Sequence, residues 1–203
     1  MIKQHIQALD SRLTTLLSPL RHLDGLPSLA LRLYLVPVFW AAGSQKLLHF
    51  QDTVDWFGST DYGLGLPLPG LMAALATSAE LGGAVLLTLG LATRWITIPL
   101  LVTMLVAIFS VHIDNGWQAI ADAMGPFSSD RVRMAADSLE QIREILMASG
   151  RYDELTANGS LAIINNGIEF AVTYSAMLLA LMVMGGGRYV SVDHWLKRWL
   201  RRQ

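Results

Sequence analysis

The chain has 203 residues, of which 53% are hydrophobic and 15% are charged, whereas about 25% are charged in an average globular domain. The net charge of −1 gives no electrostatic basis for binding nucleic acid. The absence of cysteine excludes disulfides, thiolate metal ligands and cysteine-based redox chemistry.

The N-terminal stretch MIKQHIQALDSRLTTLLSPL lacks a continuous apolar core followed by a small-residue cleavage site, so no signal peptide is expected. Its leucines and isoleucines instead recur at helical spacing with polar residues between them. We therefore predict that residues 1–26 form an amphipathic helix on the cytoplasmic face of a membrane.

Four stretches are apolar and long enough to cross a bilayer, which takes about 20 helical residues. Helices are expected because every backbone N–H and C=O in lipid must be paired within its own segment. The sequence therefore predicts an all-α fold, an integral membrane four-helix bundle that forms a single membrane domain. The predicted transmembrane helices are residues 29–48, 69–92, 95–113 and 167–187.

The remaining segments are predicted to lie at the membrane surfaces. In residues 114–166, Ser128 or Ser129 can cap a helix over about 129–149, whose apolar residues recur at helical spacing. The tail, residues 188–203, contains HWLKRWLRRQ, with tryptophans four residues apart among basic residues. This pattern predicts an amphipathic tail on the cytoplasmic face of the membrane.

The distribution of Lys and Arg predicts the orientation of the spans. Basic residues cluster in the N-terminal arm, at the turn with Arg94 and in the tail, whereas residues 49–68 contain none. Residues 114–166 contain four Arg against eight acidic residues. We expect both termini and the Arg94 turn in the cytoplasm, and the other two loops outside, in the periplasm of a Gram-negative host.

Ionisable side chains within the spans are informative, because each costs about 2.5–3.5 kcal/mol at a helix centre. Arg32 lies near the cytoplasmic start of span one, and Lys46 lies near its outer end. Glu80 is about 16 Å deep in span two, at a rise of 1.5 Å per residue. Glu169 and His112 lie near the outer ends of spans four and three.

Residue spacing places some of these side chains on packing faces. Arg32, Gly43 and Lys46 share one face of span one, and Gly43 allows another helix to approach closely. Glu80 lies on a stripe of small residues in span two, so it should face the bundle interior. A carboxyl group there must be protonated, paired or reached by water. The predicted partners are Lys46, His112 and Glu169.

Each of these residues also has a structural interpretation. Arg32 can snorkel to the surface or tether two helices, and Lys46 can snorkel to the outer interface. His112 can be an ordinary histidine of a helix interface. His49 and Asp114 lie on the same predicted side as His112, which leaves a metal site as an alternative, although we predict none.

Three motifs in this order resemble the DoxX family of bacterial four-span inner-membrane proteins. LRLYLVPVFWAAGSQKL looks like its first helix, AELGGAVLLTLGLATRW like its second and ITIPLLVTMLVAIFSVH like its third. The segment NNGIEFAVTYSAMLLALMVMGGGRYVSVDHWL and the long insert before it resemble the HvfX branch. That branch accompanies maturation enzymes for copper-binding modified peptides (RiPPs). The resemblance implies characteristic polar residues at Arg32, Lys46 and Glu80.

Resemblance to the related DoxD subunit implies electron transfer to quinone from a reduced substrate. The predicted catalytic residues are then Glu80, Lys46 and His112: Lys46 or His112 donates to a quinone oxygen, and Glu80 relays protons. The sequence contains no haem pair, flavin Gly-rich turn or other cofactor motif. The predicted quinone-binding residues are Arg32, Phe39, Trp40, Lys46, Glu80, His112 and Glu169, with the two aromatic rings stacking on the head group.

Two other functions stay open. The chain could be a non-catalytic membrane scaffold that recruits maturation enzymes, with its charges locking the bundle, or a component of metal or proton transport. The predicted partners are the lipid bilayer and either maturation enzymes or the precursor peptide. Small-residue faces such as MAALATSAELGG also permit a homodimer.

Overall fold

The computed structural model describes residues 25–203, so the predicted N-terminal amphipathic arm lies outside the described residues. In this part of the chain the regular structure is helical, apart from an isolated antiparallel bridge between Ile120 and Ile164. The predicted all-α class is therefore confirmed for residues 25–203. The α-helices are α1 Leu26–Leu48, α2 Phe50–Gly58, α3 Pro69–Leu89, α4 Thr93–Ala107, α5 Asp130–Ala148, α6 Tyr152–Thr156, α7 Glu169–Met184 and α8 Val192–Leu200.

Three helical segments are long and apolar enough to cross a membrane. They are α1, α3 and Thr93–Asn115, in which α4 continues through a π-helical turn and a 3₁₀ turn. The predicted fourth span contains α7, which is apolar but has 16 residues, fewer than the about 20 that a bilayer takes. Large apolar side chains such as Leu33, Leu75 and Val102 are exposed on the long helices, where lipid would cover them.

The ends of α3 follow from its sequence. Pro69 occupies the first helical position, where its missing N–H has no partner to lose. Gly90 ends the helix with a left-handed φ of 63°, which glycine adopts without a steric penalty. Leu91 N donates to Leu86 O at 3.0 Å and closes this turn directly before α4.

The structure divides into two compact units, and the first comprises residues 25–100 and 177–203 of the described chain. Within it α1 packs along α3, and α2 packs against both helices. The core consists of fully enclosed side chains from several helices. They are Leu35, Phe39, Ala73, Leu87, Leu100, Leu178 and Leu181.

One end of the first unit brings together three segments that are distant in sequence. The Ser28 hydroxyl at the start of α1 donates to Gly185 O. The carboxylate of Asp193 accepts from Ala92 N at 2.7 Å and from Thr93 N at 3.0 Å, so it caps the start of α4. The start of α1, the α3–α4 turn and the tail, which were predicted to share one side of the membrane, therefore lie at one end of this unit.

The second unit, residues 101–176, contains the long loop 114–166. The Ser129 hydroxyl accepts a hydrogen bond from the backbone and caps α5, which covers 130–148 where the sequence predicted about 129–149. Asn165 is buried, and its Nδ2 donates to Asn115 O at 2.8 Å and to Gln118 O at 2.7 Å. These buried amide contacts give the long loop a defined fold of its own.

Candidate functional site

Lys46 and Glu80 form an ion pair between α1 and α3. Nζ of Lys46 lies 2.9 Å from Oε1 and 2.8 Å from Oε2 of Glu80. The side chain of Glu80 is only 4% exposed, whereas that of Lys46 is 26% exposed. The carboxylate is therefore enclosed by protein, and the lysine connects it to the surface of the helix pair.

Gly43 explains why the two helices come close enough for this contact. A Cβ atom at this position would lie 2.8 Å from Leu81 Cγ, 3.0 Å from Leu81 N and 3.1 Å from Glu80 Cβ. The backbone of α1 therefore packs directly against α3, as small residues allow between membrane helices. Lys46 follows three residues later on the same face, so the close approach brings its amine to the carboxylate.

The ion pair retains hydrogen-bonding capacity. An ammonium group carries three N–H donors, and the oxygens of Glu80 engage two of them. One N–H of Lys46 is therefore left for a further acceptor on its exposed side. Chemically, the pair can donate a hydrogen bond to a ligand and can hold or transfer a proton next to it.

Thr77 adds a polar group that the sequence reasoning missed. It lies three residues before Glu80 on the same face of α3, and it is 5% exposed. Its hydroxyl is buried without a hydrogen-bond partner among the described residues, which is uncommon in folded proteins. The sequence did contain a signal for Thr77, because it lies three residues before Glu80 on the same stripe of small residues.

Arg32 lies at the opposite end of α1 from the ion pair. Its Nη1 donates to Leu87 O at 2.8 Å, its Nη2 donates to Val190 O at 2.8 Å, and the residue is 1% exposed. Fourteen residues separate Arg32 from Lys46, or about 21 Å along a helix. These contacts give Arg32 the role of a tether between helices, which was its structural interpretation, and place it out of reach of a ligand at Lys46.

The two aromatic residues predicted to stack on a head group differ in position. Phe39 has no exposed surface and belongs to the core between the helices. Trp40 is 53% exposed, but six residues of helix separate it from Lys46, which turns it about 120° around the axis. Phe39 is therefore closed to a head group, and the backbone positions of Trp40 and Lys46 lie on different faces of α1.

His112 and Glu169 belong to the second unit, and each contacts the backbone there. Nδ1 of His112, in the π-helical turn that follows α4, lies 2.9 Å from Asn166 O. Glu169 begins α7, and its Oε2 accepts from Ala119 N at 2.9 Å. Of the predicted charged cluster, the first unit therefore joins Lys46 to Glu80, and the second unit binds His112 and Glu169 to the long loop.

Comparison with known proteins finds a family model that matches the helices carrying the ion pair. Residues 28–113 match the DoxX family model. The match covers less than half of the chain. The matched residues include Arg32, Lys46 and Glu80. The match begins in α1 and ends at Ile113, the first residue of the 3₁₀ turn that follows the π-helical turn.

The chain is also similar to the inner membrane protein YphA of Escherichia coli (strain K12), with 32% identity over 96 residues. This similarity covers 47% of the chain and 64% of the relative, so the chain spans less than two thirds of that relative's length. No solved structure shows significant similarity to the chain. The three long apolar helices are those expected of a multi-pass membrane protein.

The alternative of a metal site near His49, His112 and Asp114 can be compared with the structure over residues 25–203. No three side chains of His, Asp or Glu come together there in positions that could hold a metal ion. His49 lies 3.7 Å from Asp52 at an exposed position just after α1. The candidate site within residues 28–113 is the ion pair and its surroundings.

Gly43→Ala is expected to lower the unfolding free energy of the protein by about 1–3 kcal/mol, as overpacking does in tight cores. The added methyl group would meet the backbone and side chain of Leu81, which cannot both move aside. Gly82→Ala is the matched control, because a Cβ there meets nothing within 4 Å. Thermal unfolding in detergent measures both variants, and equal midpoints would contradict the proposed close packing.

Proposed function

We propose that this protein is a DoxX-type, quinone-linked redox component of the inner membrane, with Lys46 and Glu80 at its head-group site. The observation that carries the proposal is the ion pair, in which an enclosed carboxylate contacts an amine that reaches the surface. A bound quinone would supply the redox chemistry, by taking up electrons and protons in equal number.

The contacts of the pair suit such a ligand. The remaining N–H of Lys46 would donate to a carbonyl oxygen of the head group. Both carboxylate oxygens of Glu80 lie within 2.9 Å of Nζ, so a proton can pass between the two groups without side-chain movement. Neither lysine nor glutamate changes oxidation state, so the electrons must come from a reduced substrate or a partner protein.

The proposed setting is the maturation of a copper-binding modified peptide. Its support is the resemblance of residues 165–196 and of the long loop to the HvfX branch. The defined fold of the long loop, built on Asn165 and Gln118, offers a surface for a maturation enzyme or the precursor peptide. We propose that this loop is periplasmic, that both termini are cytoplasmic, and that α7 with its flanks completes a fourth span.

A titration of the purified protein in detergent with a short-chain quinone analogue tests the site. Wild type should bind saturably, and Lys46→Met and Glu80→Gln should each weaken binding by about tenfold or more, as the loss of a charge-assisted hydrogen bond does. Arg143→Gln is the control, because Arg143 pairs with Glu140 in the exposed face of α5. Absence of saturable binding in wild type, or unchanged binding in both variants, would refute the proposal.

The same ion pair supports a second candidate, a non-catalytic scaffold for the maturation enzymes. A complete pair between α1 and α3 can act as a static lock, because each charge already has its partner. In a scaffold, a folded Glu80→Gln protein would leave peptide modification intact at matched expression. In the redox component, the same folded variant would lose it.

A further inference from the structure

A cavity of about 310 Å³ lies at the end of the first unit where the α3–α4 turn meets the tail. One wall is the run from Gly185 to Gly187, which follows α7 and presents no side chains. The other walls come from the start of α4 and from α8. The cavity is separate from the Lys46–Glu80 pair, and none of its lining residues belongs to that site.

The side chains around this cavity make it electropositive. Arg94, Arg188 and Lys197 line it, and the acidic residue among its lining is Asp193. Both oxygens of Asp193 are already engaged by the N–H groups of Ala92 and Thr93 at the start of α4. The three cations therefore determine the sign of the charge that a ligand would meet.

Arg94 and Lys197 can both donate N–H hydrogen bonds to a ligand. Arg94 uses Nη2 to donate to Val183 O at 2.8 Å, which leaves other N–H groups of its five-donor guanidinium. The side chain of Lys197 lies on an exposed position of α8, whose backbone is fixed by its Ser191 cap. Guanidinium and ammonium groups are the side chains that bind phosphate most strongly, through charge-assisted hydrogen bonds.

The surroundings of the cavity are those of a membrane interface. Trp95 lines the cavity and is largely exposed, and Trp195 and Trp199 are exposed on α8 beside the basic residues of the tail. Tryptophan is enriched at the level of lipid head groups, and a basic amphipathic helix lies in the same plane. The cavity therefore opens where phospholipid head groups are found.

We propose that this cavity binds the phosphate of an anionic phospholipid head group. Basic pockets at the ends of transmembrane helices are suited to such lipids. The apolar lining from Trp95 and Met184 distinguishes a lipid from free phosphate, because it would cover the glycerol and the first part of the acyl chains. The bound phosphate would join Arg94 at the start of α4 to Lys197 on α8.

Native mass spectrometry of the full chain in a neutral detergent tests this assignment. The probes are lysophosphatidylglycerol, lysophosphatidylcholine with the same acyl chain, and inorganic phosphate. The anionic lipid should bind about tenfold more tightly than the zwitterionic one, and inorganic phosphate at the same concentrations should not displace it. Lys197→Gln should weaken binding of the anionic lipid by about tenfold.

Arg202→Gln is the matched control, since it removes the same charge from the tail at a residue that does not line the cavity. It should change the affinity by less than about twofold, as an exposed surface charge does. Equal affinity for the two lipids would overturn the proposal, as would equal losses in Lys197→Gln and Arg202→Gln. Displacement of the lipid by an equal concentration of inorganic phosphate would overturn the assignment to lipid.

Discussion

Lys46→Met is expected to lower the unfolding free energy by about 3–5 kcal/mol, the range for removing one partner of a buried ion pair. The substitution leaves the carboxylate of Glu80 4% exposed and without its cation. The unpaired carboxylate must then take up a proton or draw water between α1 and α3, and both are costly in the packed helix pair. Chemical or thermal unfolding in detergent measures the loss.

Glu80→Gln should cost less than Lys46→Met. The amine of Lys46 is 26% exposed and can extend to the interface, and glutamine still offers an oxygen that accepts from it. The double variant Lys46→Met/Glu80→Gln contains no buried charge, so it should be more stable than Lys46→Met alone. Additive losses in the double variant would show that the two side chains do not interact in the folded protein.

Arg32→Met is expected to have the second large effect, a loss of about 3 kcal/mol or more from two charge-assisted hydrogen bonds. Leu87 O belongs to the last turn of α3, where it accepts from Gly90 N at 3.2 Å and where a cation is favourable. Val190 O lies in the tail, so the same guanidinium joins the tail to the helix pair. Thermal unfolding of the variant in detergent measures the loss.

Arg32→Lys should recover little of that stability, because a single ammonium lacks the planar fork that reaches both carbonyls. Arg143→Met is the comparison, since Arg143 forms an exposed pair with Glu140 and its loss should cost at most about 1 kcal/mol. If Arg32→Met were no more destabilising than Arg143→Met, the tether between α1, α3 and the tail would be refuted.

The sequence placed Lys46 among three predicted partners of Glu80, because both residues lie on faces marked by small side chains, but it did not decide between Lys46, His112 and Glu169. Gly43 precedes Lys46 by three residues, and Glu80 is followed by Gly83 at the same spacing. Residue spacing is enough to predict which side chains share a face, because this requires only that each segment forms a helix. The polar set of Arg32, Lys46 and Glu80 also lies within the part of the chain that matches the DoxX family.

Contacts between segments that are distant in sequence could not be predicted from residue spacing. Asp193 caps the start of α4 across about a hundred residues of sequence, and nothing in the spacing around Asp193 indicates that partner. Glu169 was predicted as a partner of Glu80 because of its depth in a span, and nothing in the spacing around it indicated that its carboxylate accepts from Ala119 N in the long loop. Depth along a helix does not determine which side of the helix meets which neighbour.

The bounds of α7 illustrate another limit of the sequence pattern. Hydropathy extended the predicted span to residue 187, whereas the helix ends at Met184. Gly185 and Gly187 have φ values of 76° and 86°, which end a right-handed helix. Glycine counts as nearly apolar in a hydropathy profile, so the profile could not separate a helix from the glycine run that forms the cavity wall.

The quinone affinity of the Lys46→Met/Glu80→Gln double variant tests the central claim most directly. Lys46→Met should be unstable whether the ion pair is a static lock or part of a ligand site. Quinone binding, however, requires the ammonium and the carboxylate only if the pair is part of a ligand site. With stability largely recovered, the double variant should still bind the quinone analogue at least about tenfold more weakly than wild type. Binding with wild-type affinity by the folded double variant would contradict a quinone site at Lys46 and Glu80.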